Sequence, residues 1–74
     1  MISMDVALPP WRRVAKALEE RIADGTYPKG SRLPGAVPLS HEFDVAPSTV
    51  AKAVQDLKRR GLVTATAGWG TFVL

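Results

Sequence analysis

Ser48, Lys52, Gln55 and Arg59 share one side of a helix when the chain is stepped at about 100° per residue. They offer a hydroxyl, an amide and two cations along a single line. Lysine can pair with guanine and glutamine with adenine. Ser48 and its neighbour Thr49, beside free N–H groups at a helix start, suit a phosphate. The opposite side carries Val50, Ala53, Val54 and Leu57 and is entirely apolar. Ordinary surface helices are amphipathic in the same way, so this face alone does not decide between nucleic-acid reading and plain solvation.

The flanking residues predict how that face is positioned. Pro47 can open a helix, because its missing N–H costs little in the first turn. Gly61 closes it after Lys58-Arg59-Arg60, a basic run that suits the negative end of the helix dipole. The spacing therefore predicts a helix over about 47–60. A shorter helical segment, Ala36 to Asp44, lies just upstream, joined by Val45-Ala46 alone. Two helices so connected form a helix-turn-helix, whose second helix can enter a DNA major groove.

Composition sets the outer limits. Seventy-four residues make one domain and bury a limited core. With no cysteine there is neither a disulfide nor a thiolate zinc site. A net charge of +3 and a pI near 9.8 are mildly basic and compatible with a polyanion. No apolar run approaches the ~20 residues that span a bilayer, and the start MISMDVALPP lacks the form of a signal peptide. A cytoplasmic location without membrane association is expected. No enzyme is expected either. His41 is the only histidine and reads as a surface residue. Glu19-Glu20 and Glu42 with Asp44 read as solvated faces, and no nucleotide-binding glycine motif occurs. No catalytic residue, metal site or cofactor is assigned.

In chain order, residues 1–8 lack a period and read as a flexible arm, leaving 9–74 as the folded domain. Pro9-Pro10 marks a helix start. Trp11, Val14, Ala15, Leu18 and Ile22 recur at helical spacing, and Gly25 stops the helix. Arg12 and Arg13 read as solvated, and Glu19 and Glu20 are spaced to pair weakly with Lys16. The segment TYPKGSRLP is a turn-rich connector with one short strand at Ser31 to Leu33, and Tyr27 and Leu33 point inward. Pro38 must lie in the first turn of its helix, and Leu39 and Phe43 face the core.

After Gly61 the pattern becomes extended. Two strands are predicted, Leu62 to Thr66 and Thr71 to Leu74, joined by Ala67-Gly68-Trp69-Gly70. Gly68 and Gly70 supply the positive φ of such turns. Trp69 at the tip has three fates: packing back on the end of the third helix, touching a partner, or lying along a phosphate backbone. Packing is the ordinary one. Three helices, a short strand and a C-terminal hairpin make an α+β fold, a small winged helix-turn-helix, with the hairpin as the wing.

Assembled in this way, the chain resembles the N-terminal DNA-binding domain of the GntR-type bacterial transcription regulators. The resemblance runs from Trp11 to Val73 and rests on IADGTYPKGSRLP (22–34), DVAPSTVAKAVQDLKRRGLV (44–63) and GWGTFV (68–73). It implies DNA binding, with Ser48, Thr49, Gly68 and Gly70 at contact positions. Three arginines that typically hold bases and phosphates in that family are replaced. Val37 stands for the first, Ala46-Pro47 for a Ser-Arg or Thr-Arg pair, and Ala51 for the third. Lys52 adds a cation where the family often has a glutamate. The target is therefore expected to differ from the family's usual operator or to bind more weakly. Family members usually carry a C-terminal effector and dimerisation domain. This chain reaches only Leu74, so no small-molecule effector domain is expected within it, and any homodimer would use the arm, the first helix or the wing.

Two functions follow as expectations. In the first, the domain is a transcriptional regulator that binds double-stranded DNA. The 47–60 helix reads the major groove through Ser48, Thr49, Lys52 and Gln55. Gly68, Trp69 and Gly70 lie near the backbone, and Arg32 and Arg59 contact phosphates. In the second, the same fold is a protein–protein interaction module that has lost its DNA-contacting arginines. The apolar series Val37, Ala46, Pro47 and Ala51 favours the second.

Overall fold

A computed structural model describes residues 8–74. The predicted arm therefore falls, but for Leu8, outside the described residues. Three helices are followed by one hairpin: α1 Pro10–Ala23, α2 Ala36–Phe43, α3 Pro47–Arg59, β1 Val63–Thr66 and β2 Gly70–Val73. This is the winged helix-turn-helix expected from the sequence.

Each helix begins without a side-chain cap. Pro10 and Pro47 instead occupy the first turns of α1 and α3, where a proline removes an N–H that would have had no partner. The sharp turn between α2 and α3 is made by Asp44, at φ 54°. Aspartate tolerates this left-handed conformation better than most residues. The Val45 N–H donates to the Ser40 carbonyl at 3.0 Å and closes the turn. At the far end of α3, Gly61 at φ 79° lets the Leu62 N–H reach back to the Leu57 carbonyl at 3.0 Å.

The main core cluster draws on all three helices and β1. Val14, Ala15 and Leu18 come from α1, Leu39 from α2, Val50, Ala53 and Leu57 from α3, and Val63 from β1. Burying each of the larger side chains contributes roughly 1.5–3 kcal/mol. Trp11, Tyr27, Phe43 and Val54 pack around this cluster. Arg21 ties three segments together at its rim. It donates to the Tyr27 hydroxyl at 2.8 Å, pairs with Glu42, and lies 5.0 Å from the centre of the Phe43 ring. The Glu42 carboxylate and the Tyr27 hydroxyl hold its pKa well above the ordinary guanidinium value.

The hairpin pairs Val63 with Val73, Thr64 with Phe72, Ala65 with Thr71 and Thr66 with Gly70. Both strands sit one residue later or earlier than predicted: Leu62 is left out of β1, and β2 begins at Gly70. Val63 and Val73 face inward and close the open side of the helical trio. The predicted short strand reduces to a bridge between Arg32 and Phe72. It is reinforced by Leu33 N–H to Thr71 O at 2.7 Å and Val73 N–H to Ser31 O at 2.9 Å. β2 is thus flanked on both sides, which fixes Arg32 beside the wing.

Candidate nucleic-acid interface

The outward side of α3 is set by what its inward side buries. Val50, Ala53 and Leu57 are fully buried, which leaves Ser48, Lys52, Gln55 and Arg59 exposed in a line, with Thr49 half-buried beside them. The four residues grouped by helical spacing are therefore brought together on one crest.

The crest has two unlike flanks. On the α1 side, Trp11 faces it, and a cleft runs between Trp11 and Lys52, Gln55 and Asp56. The Lys52 ammonium lies 5.2 Å from the centre of the Trp11 ring, and Arg12 lies 5.8 Å from the same ring. On the wing side, Ala51 and Val54 border a second cleft with Ala36, Arg32 and Gly70. That flank is mostly apolar, with Arg32 as its cation. Val37, Ala46 and Pro47 are exposed as well, Val37 to 57%.

Arg32 is placed by a glycine. A Cβ on Gly70, whose φ is +114°, would stand 2.6 Å from the Arg32 Nε, so only glycine lets the guanidinium lie across the base of the wing. Among the described residues, no ion pair holds Arg32 or Lys52. The basic end of α3 is different. Arg59 donates to Asp56 at 2.5 Å, and Arg60 pairs with Asp56 at 2.9 Å and with Glu19 at 3.1 Å. Part of the charge expected at that end is therefore answered within the molecule.

Trp69 corrects an expectation. It does not pack on the end of α3 but is 72% exposed at the wing tip, with Gly68 beside it. The register is the reason. Thr66 pairs with Gly70, so residues 67–69 form the turn beyond the last pair, and the Trp69 N–H donates to the Thr66 carbonyl at 3.0 Å. The core is already closed by Val63 and Val73, and the ring is carried past it.

The gntR family of bacterial regulatory proteins matches residues 10–73. The chain belongs to that family. It is similar to YdfD of Bacillus subtilis (strain 168), an uncharacterized HTH-type transcriptional regulator, with 37% identity over 67 residues that cover 90% of this chain and 14% of the relative. It is also similar to the mannosyl-D-glycerate transport/metabolism system repressor MngR of Escherichia coli (strain K12). Identity there is 34% over 65 residues, 88% of this chain and 27% of the repressor. The chain thus spans only a small part of these regulators. Among solved structures, the DNA-binding domain of AraR in complex with operator ORX1 superposes with a TM-score of 0.86 at 31% identity, covering 90% of this chain and 81% of that one.

The chain is accordingly a GntR-type helix-turn-helix DNA-binding domain, and the protein-interaction alternative is not favoured. Two participants in the face of this GntR-type domain escaped the sequence reading. Helical spacing puts Trp11 on the packed side of α1 and does not reveal that its ring also meets Lys52. Asp56 carried a usable signal: an acid three and four residues before Arg59 and Arg60 is spaced to pair with both. No helix among the described residues is long and apolar enough to cross a membrane.

Proposed function

We propose that the domain serves a transcriptional regulator by placing the crest of α3 in the major groove of double-stranded DNA, with the wing along the neighbouring backbone. Lys52 and Gln55 read base edges, Ser48 and Thr49 meet a phosphate at the start of α3, and Arg32, Arg59 and the Gly68–Gly70 turn with Trp69 follow the backbone. The observation that carries this reading is the openness of the crest: Lys52 and Gln55 are exposed and face away from the molecule's own hairpin. The operator complex of the similar AraR domain supports it. A non-enzymatic, cytoplasmic role belongs to the same reading. A homodimer would set two such crests in successive major grooves, ~34 Å apart.

Selection from a random duplex library, followed by titration of the winner, tests the proposal. Affinity should fall with salt at about 0.9 log–log units per phosphate neutralised. Gln55→Ala should relax preference at one base pair by about 1–3 kcal/mol, while Arg59→Ala should weaken all sequences alike. Failure to enrich any sequence, or binding indifferent to both substitutions, would remove α3 from the groove.

A further inference from the structure

We infer that Trp11, on the first turn of α1, is a positioning residue for the Lys52 base contact; the inference rests on the DNA reading above. Lys52 leaves α3 on the side that faces α1, and its ammonium sits 5.2 Å from the centre of the Trp11 ring. That is within the range at which an aromatic face attracts a cation. The ring is itself held in place. Trp11 packs against the core cluster and follows Pro9-Pro10, whose fixed φ angles stiffen the entry to α1.

An ion pair would have served Lys52 differently. Asp56 answers the charge of Arg59 and Arg60 at the other end of the helix, and a carboxylate offers those cations a partner that competes with a phosphate or a base. An indole attracts the ammonium without cancelling its charge. A free lysine also loses many rotamers when it binds, and a cation already resting on a fixed ring has lost part of that freedom beforehand. Arg12, 5.8 Å from the same ring, adds a second cation at this mouth. Trp11 thus holds the Lys52 ammonium on the α1 side of the crest. It thereby sets which base pair Lys52 reads.

The test compares the whole chain with Lys52→Ala, Trp11→Leu and Trp11→Phe on a duplex selected from a random library. Lys52→Ala identifies the base pair that Lys52 reads. Trp11→Leu, which keeps apolar bulk, should reduce preference at that same base pair by about 2–5-fold and leave other positions and the salt slope unchanged. Trp11→Phe should retain most of the preference, and Trp11→Leu should add nothing in a Lys52→Ala background. In the free domain, the Lys52 ε-methylene protons should show an upfield ring-current shift that Trp11→Leu removes. A uniform loss at every base pair, additivity with Lys52→Ala, or the absence of the ring-current shift would each overturn the inference. A wild-type chain that enriches no sequence defeats the DNA reading instead, and this is distinguishable because the ring-current shift is measured without DNA.

Discussion

The two flanks of α3 are built from the same helix and differ in almost every property that matters for DNA. The α1-side flank has a cation held against an indole, with a second cation nearby. The wing-side flank has Ala51 and Val54 bordered by Ala36, and its one cation, Arg32, comes from outside the helix-turn-helix. Because Val50, Ala53 and Leu57 lock the helix to the core, it cannot roll to favour one flank over the other. The chemistry each flank presents is set in part by side chains brought to it from α1 or from the connector before α2. The difference shows that the face of α3 does not set its chemistry alone: neighbouring elements add or hold the cations beside it. Where the resemblance leads one to expect arginines, this chain has Val37, Pro47 and Ala51, and among the described residues Lys52 and Arg32 are cations of these flanks that no ion pair holds.

The comparison presupposes one rigid helix, and the largest expected effect comes from breaking that rigidity. Leu57 is fully buried where α3 meets the rest of the core. Leu57→Ala should cost about 2–5 kcal/mol, through lost burial and the cavity left behind. A domain this small holds only ~5 kcal/mol in total. Urea denaturation should show the variant largely unfolded or at the margin, with DNA binding through both flanks lost together. Selective survival of one flank's contacts would mean that α3 is not a single rigid body.

Much of this architecture was legible in the sequence, for a physical reason. Burial imposes a period, and a period can be read along the chain: Val50, Ala53, Val54 and Leu57 announced both the helix and its inward side. Prolines and Gly61 announced its ends because each restricts or frees one backbone angle locally. The wing's exact register was less legible. Leu62 and Gly70 each lie at a strand boundary, where one hydrogen bond decides membership. Pairings between elements were not legible at all. Trp11 and Lys52 are 41 positions apart, as are Glu19 and Arg60, and nothing in the local pattern says which of several outward residues will meet. Trp69 misled for a related reason: aromatic character favours burial, but the turn that carries it extends beyond the core that could have received it.

On the wing side, Gly70→Ala sharpens the comparison by displacing Arg32 and straining the wing turn. The new Cβ would stand 2.6 Å from the Arg32 Nε at a backbone φ of +114°, so the guanidinium must shift from its place beside the wing. The strained φ itself should cost ~1 kcal/mol of stability, measurable by thermal denaturation. If Arg32 neutralises one phosphate, the log–log salt slope of binding should fall by ~0.9 and base preferences should stay as they were. A change of preference at the base pair read by Lys52 would show instead that the two flanks communicate.

The smallest expected effect concerns the end of α3, where the charges are answered. Asp56 accepts from Arg59 at 2.5 Å and pairs with Arg60 at 2.9 Å, and its side chain is only 16% exposed. Asp56→Asn removes one negative charge from the rim of the α1-side cleft and releases Arg59, whose side chain is already 75% exposed. Surface ion pairs contribute ~0.2–1 kcal/mol each and Asp56 makes two, so stability should fall by about 1 kcal/mol. Affinity should rise by a similar amount for every duplex at low salt, and the rise should fade as salt is added. Isothermal titration against the selected site and a scrambled duplex checks both parts. An equal gain on the two duplexes marks this end of α3 as a backbone contact. A gain confined to the selected site would move base reading from Lys52 and Gln55 toward Arg59, and the contrast between the flanks would then extend along the helix as well as across it.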